Sequence, residues 1–406
     1  MPQEEIFDKK IENTGQETEE DILYPIGQYT EAVIWATDWT TETLWSQLKR
    51  KNIELNPRFQ RRDAWNEVAK SRFIESLILG LPVPQIILAE KKDKKGNYIV
   101  IDGKQRLLTI MQFYMDNEEE GFKKLKLKGL EILSELNDKG YENLQEVELD
   151  NFLNALDNQS IRTVVIKNWP NEQFLYTVFL RLNTGSLKLS PQELRQALHP
   201  GDFIDFADEF AISSESIKEM LGISRPDYRM RDVELVIRFF AFKYFITDYN
   251  GKLKNFFDDT VNTLNIEWND KENQVKADAV KLNSAIKLTL DIFTPEAAFS
   301  KYQNGKFRNN FNRAIYDIMV YYFSKEDVYI IAKEHKEEIK QAFIQLCISD
   351  AAFLRSFETS TKSMENTFKR LSTWGKKLVS VLNISIEIPT LLNDRSISLE
   401  NIQNIP

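Results

Sequence analysis

The spacing of apolar positions changes several times along this chain, and each change predicts an element. Behind Thr40, Leu44 and Leu48 fall one turn apart, which predicts a helix that Asn56-Pro57 breaks. A second helix is predicted from about Glu67 to Leu79, with Phe73, Ile74, Leu77 and Ile78 on one face. Gly80 ends it, and Leu81-Pro82-Val83-Pro84 keeps the chain extended afterwards. Gln85–Glu90 and Tyr98–Asp102 are short β-branched runs around a polar Lys-rich loop, the pattern of a hairpin. Past Asp102-Gly103 the period becomes helical, with Leu107, Leu108, Ile110, Met111 and Tyr114 in one stripe.

Ile161–Lys167 predicts a third strand. Pro170 then opens a helix through Phe174, Val178, Phe179 and Leu182 that stops at Asn183-Thr184-Gly185. Ser190-Pro191-Gln192-Glu193 has the form of a capping box with Pro at the first helical position. Beyond about residue 200 nearly every segment has helical period, including Val233–Phe245, Ala279–Phe293, Phe311–Tyr322, Glu337–Ser349 and Thr367–Leu382. The expected fold class is α+β, a small mixed α/β unit followed by a mostly α-helical domain; the division expected is 24–200 for the first and 201–406, as an all-helical domain, for the second. The first 23 residues, with eight acidic side chains against Lys9 and Lys10, read as a disordered tail.

Composition narrows the chemistry. At 406 residues the chain is long enough for two or three domains. Cys347 is the only cysteine, so no intramolecular disulfide and no cysteine-based zinc site can form. The only histidines, His199 and His335, are too far apart in sequence for a local metal motif. The net charge of −9 lies mostly in the first 23 residues, whereas residues 49–72 carry a local excess of Lys and Arg. That argues for one anion-binding patch rather than a surface-wide polyanion site. No apolar run approaches the ~18–20 residues that span a bilayer, and Met-Pro-Gln-Glu-Glu lacks a signal-peptide pattern. A cytoplasmic protein with no membrane partner is expected.

Three stretches can carry chemistry. In Ile99–Leu108 a strand delivers Asp102 and Gly103 to a helix start, whose unpaired amides and dipole suit a phosphate. Gly103 permits close approach and Arg106 offers a planar fork of donors. Asp102 can orient a water, hold a metal or fix the arginine; the plainer use is to cap the helix. Asn56–Trp65 combines a turn, anion-binding side chains and aromatics that can stack on a base, or else is a basic loop anchored by Trp65. Arg181–Gly185 offers an amide and a hydroxyl, or else simply stops a helix.

In this order the stretches resemble the GmrS-type N-terminal domain of type IV, modification-dependent restriction systems, within the ParB/sulfiredoxin-like superfamily. The resemblance rests on Phe59–Trp65, Ser71–Pro84, Ile101–Arg106 and Phe179–Gly185, extended by Ser190–Arg195 and Arg231–Phe239. It implies a nucleotide-binding, NTP-hydrolysing and Mg²⁺-dependent module of anti-phage defence. The base, among GTP, ATP, CTP and UTP, stays open. Gln60 and Arg61 match the family's early Gln-Arg pair, and Asp102, Gly103, Gln105 and Arg106 match its Asp-Gly-Gln-Gln-Arg signature. Lys104 departs from it, standing where Gln is usual and adding a charge near the expected phosphates.

The implied catalytic residues are Asp102, Gln105 and Arg106, with Asp102 toward the metal. The implied nucleotide-binding residues are Gln60, Arg61, Gly103, Lys104, Arg106 and Asn183. Longer family members continue into a His-containing (HNH-type) nuclease domain that this chain is expected to lack. It would then act beside a separate nuclease or effector subunit, or with a second copy of itself through its C-terminal helices. Two other readings use the same fold: a non-hydrolysing regulator that contacts DNA through Arg58, Arg62 and Trp65 or engages a protein, and a Mg²⁺-dependent DNA nickase.

Overall fold

The computed structural model describes residues 32–53, 55, 64–116, 122–171, 174, 175, 178 and 190–403. The expected acidic tail and the helix stop at Asn183-Thr184-Gly185 lie outside them. The chain divides into two compact units: one runs to Leu198 and takes in Asp227–Met230, and the other holds His199–Pro226 and the chain from Arg231.

The first unit is built on a four-stranded sheet in the order β1 (Val33–Thr40), β4 (Ser160–Lys167), β2 (Ile86–Glu90) and β3 (Tyr98–Asp102). β4 runs antiparallel to β1, pairing Val33 with Lys167, and parallel to β2, pairing Ile86 with Thr163. β2 and β3 form the expected antiparallel pair, with a bulge between Ile87 and Leu88 and Ile87 opposite Asp102.

Among the described residues the longer helices are α1 (Thr41–Lys49), α2 (Glu67–Ile78), α3 (Lys104–Tyr114), α4 (Asp150–Asn158) and α5 (Pro191–Leu198). Their starts are set by local chemistry: Thr40 Oγ1 accepts from the Thr43 amide and Asn66 Oδ1 from the Ala69 amide. Leu44, Leu48, Ile74, Leu77, Leu88, Leu107, Leu108 and Ile161 are buried in one core. That core fixes β3 and α3, and with them the turn between.

The second unit carries α6 (Asp202–Ser213), α7 (Arg231–Phe245), α8 (Leu253–Ile266), α9 (Trp268–Phe293), α10 (Arg313–Phe323), α11 (Lys336–Ser349) and α12 (Met364–Leu382), with shorter helices between them. Ile315, Ile318, Tyr322, Phe343 and Phe353 are all buried, as core residues. The expectation of an all-helical unit is corrected: β5 (Tyr302–Gln303) pairs with β6 (Lys306–Phe307), and β7 (Ile386–Leu391) with β8 (Ile397–Ile402). The second hairpin alternates in burial along Ile386-Glu387-Ile388, the two-residue period of a half-buried strand. Among the described residues, no helix is long and apolar enough to cross a membrane.

Candidate functional site

The strand-to-helix turn at Asp102-Gly103 gathers the signature residues. Gly103 has φ +98° and ψ 14°, a left-handed conformation that strains any residue with a Cβ. A Cβ there would also stand 3.1 Å from Ile86 Cγ1 and 3.2 Å from Arg106 Nη2. Gly103 is the N-cap of α3 and has no side chain with which to cap it. The first-turn amides of α3 sit at the positive end of its dipole.

Asp102 does not cap α3. Its Oδ1 accepts from the Gly103 amide at 2.7 Å, and its Oδ2 from Arg106 Nη2 at 3.1 Å. Of the uses open to this carboxylate, fixing the arginine is the one seen. Arg106 Nη2 also donates to the Gln85 carbonyl at 2.9 Å. Arg106 is buried, yet its Nε has no hydrogen-bond partner, a state that costs about 1–3 kcal/mol when nothing compensates. Burial pushes the Arg106 guanidinium below its ordinary value, while Asp102 pulls the other way. Gln105 is half-buried, and its Oε1 is likewise unpartnered.

The charge expected from Lys104 is already matched. Its Nζ lies 3.0 Å from Glu193 Oε1, and both side chains are more than nine-tenths buried. Glu193 belongs to α5, which packs against β3. The capping box at the start of α5 is formed: the Glu193 amide donates to Ser190 Oγ at 3.1 Å, and the Ser190 amide to Glu193 Oε2 at 2.8 Å. One carboxylate thus anchors α5 with one oxygen and holds Lys104 with the other. Ser190 Oγ donates in turn to the Arg229 carbonyl at 2.5 Å, tying in the Asp227–Met230 segment. Gln192 and Gln196, one turn apart on α5, are also buried. Gln192 Oε1 accepts from Arg195 Nη1 at 2.7 Å, which leaves Gln192 Nε2 unpartnered; Gln196 Oε1 has no partner either.

The structure therefore brings Asp102, Gly103, Lys104, Gln105 and Arg106 into one turn. Gln60, Arg61, Arg58, Arg62 and Asn183 lie outside the described residues. Trp65 meets Phe73 edge-on at 5.5 Å between centroids and packs on the core, as an anchor does. Sequence reasoning did not connect Glu193 with this turn, because the Ser-x-x-Glu spacing announced only a helix start. The contribution of Gln85 comes from its backbone and leaves no trace in the sequence. Among the described residues no three His, Cys, Asp or Glu side chains cluster as metal ligands. A magnesium ion carried by phosphates needs only one or two carboxylates, and Asp102 suits that use.

No curated protein and no solved structure matches the chain. Residues 42–200 do match a family model, described as the N-terminal domain of the GmrSD restriction endonuclease. The match begins in α1, ends just past α5, and takes in the whole Asp102–Arg106 turn and its Glu193 partner. Residues 42–200 thus belong to the GmrSD restriction endonuclease N-terminal domain family.

Proposed function

We propose that this turn binds the phosphates of a nucleoside triphosphate with Mg²⁺ and promotes its hydrolysis, as the nucleotide-responsive part of an anti-phage restriction system. One observation carries the reading: a buried arginine with an unpartnered Nε beside a left-handed glycine, at the N-terminus of α3. Phosphate oxygens are the natural acceptors for such a donor and for the first-turn amides. Asp102 holds the guanidinium in place and faces the phosphates, where it can orient a water. Gln105 lies one residue from Arg106, and its half-buried amide is a second water-orienting group.

Charge balance adds a condition. Asp102 offsets Arg106 and Glu193 offsets Lys104, so these four side chains sum to zero. A triphosphate then needs a cation of its own, and Mg²⁺ supplies that charge when bound. Nucleotide binding should accordingly be weak in EDTA and strong with Mg²⁺. The test is calorimetric titration of the full chain with ATP, GTP, CTP and UTP, with and without Mg²⁺, alongside phosphate release. Binding of at least one nucleotide, lost in Arg106→Ala, is expected; no binding of any of the four with Mg²⁺ overturns the reading.

A further inference from the structure

Of the buried polar atoms without a partner among the described residues, four sit on α3 and α5: Gln105 Oε1, Arg106 Nε, Gln192 Nε2 and Gln196 Oε1. The two helices are joined by the buried Lys104–Glu193 pair, 89 positions apart in sequence. An orphaned buried amide is destabilising, and natural proteins keep such groups where a ligand or water completes them. Gln192 cannot turn its amide to escape, because Arg195 holds its oxygen. The free atom on Gln192 is therefore a donor, and that on Gln196 is an acceptor one turn along the same face.

We propose that α5 is a second wall of the ligand site. Glu193 positions Lys104, and Gln192 Nε2 and Gln196 Oε1 contact the base of the nucleotide rather than its phosphates. This rests on the nucleotide reading above and deepens it. The α3 end offers amides and a guanidinium, which suit phosphate oxygens; the α5 end offers a neutral donor and acceptor, which suit a heteroaromatic edge carrying an acceptor beside a donor. All four common bases present such an edge, so the pair distinguishes a nucleotide from a bare polyphosphate rather than one base from another. Gln192, Glu193 and Gln196 are positioning and specificity residues in this scheme, while Arg106 serves any phosphate chain.

The experiment measures affinity of the full chain, with Mg²⁺, for the best-bound of the four nucleoside triphosphates and for inorganic tripolyphosphate. The wild type should favour the nucleotide by about tenfold or more, the worth of one or two hydrogen bonds. Gln196→Met should erase most of that preference, leave tripolyphosphate binding unchanged and keep the thermal midpoint at or above that of the wild type, because the deleted oxygen has no partner. Should Gln196→Met not fold, Gln192→Glu keeps the acceptor for Arg195 and turns the unpartnered donor into an acceptor; the same loss of preference is expected. A preference unchanged in the folded variants overturns the role of α5 and leaves the phosphate reading standing. Failure of the wild type to bind either ligand overturns the phosphate reading itself.

Discussion

Arg238 and Asp317 meet through two parallel hydrogen bonds, Nε to Oδ1 at 2.5 Å and Nη2 to Oδ2 at 2.8 Å, although they stand 79 positions apart. The pair joins α7 to α10 in the interior of the second unit, and both side chains are almost wholly buried. Arg370 Nη2 lies 3.5 Å from the same carboxylate, and Arg313 Nε lies 3.1 Å from Glu234 Oε1. Burial opposes the charge on Arg238, but Asp317 and Glu234 outweigh it and hold its pKa above the ordinary arginine value. Arg370, held less closely, is pushed by burial down to about 10.

Two buried guanidinium groups therefore depend on Asp317. Asp317→Ala should cost about 3–5 kcal/mol, because it removes the two-bond partner of Arg238 and the nearby carboxylate of Arg370 from the core. Urea unfolding measures this directly. A loss below about 1 kcal/mol would show that the pair does not hold the core in this way.

Gly103→Ala should harm the site more than the fold. The left-handed backbone costs an alanine about 1–2 kcal/mol, and its methyl would press on Arg106 Nη2 and Ile86. The midpoint should fall by several degrees, and nucleotide affinity by more than that loss implies. A variant with wild-type affinity would show that Arg106 does not need its present position.

Asp157 predicts a pH effect. Tyr114 donates to its Oδ1 at 2.8 Å, yet burial dominates and raises the carboxyl above its ordinary value. A raised folded pKa means that the native state keeps a proton the unfolded state has lost. Its contribution to stability is full below the ordinary aspartate range and fades as pH rises through the folded pKa. Asp157→Asn removes the fade, so its stability relative to the wild type should grow between pH 3.5 and 7. Equal differences in urea midpoint at both ends would contradict this.

Cys347 is buried in α11, and burial pushes its thiol up to about 12. The thiolate that alkylating reagents need is scarce at pH 8. Iodoacetamide should leave the native protein unlabelled over hours and label it once in urea. Rapid labelling without denaturant would show that α11 opens readily.

Much of this architecture was legible in the residues, for physical reasons. β4 was readable from Ile161-Arg-Thr-Val-Val-Ile because its burial does alternate in its first half. The starts of α1 and α5 were readable because their caps are local. β1 was not, since Val33, Ile34 and Trp35 are all exposed and its residues show no two-residue period. α4 was hidden by its polarity: of Asp150–Asn158 only Leu156 is buried. In the site, the Asp102–Arg106 turn could be read because it is one short run. The Lys104–Glu193 pair could not, because tertiary packing alone brings α5 to β3.

The position of β4 also sets an order of assembly on the ribosome. β1, β2 and β3 leave the exit tunnel first, yet β1 and the β2–β3 pair share no neighbour until β4 arrives between them. At ~5–20 residues per second, synthesis from Glu90 to Ser160 takes several seconds. For that time the inner edge of β2 stands open, as does β1 along its whole length. A nascent chain stalled before Ser160 would thus expose two strand edges, which is the form most open to capture by a chaperone or by another nascent chain.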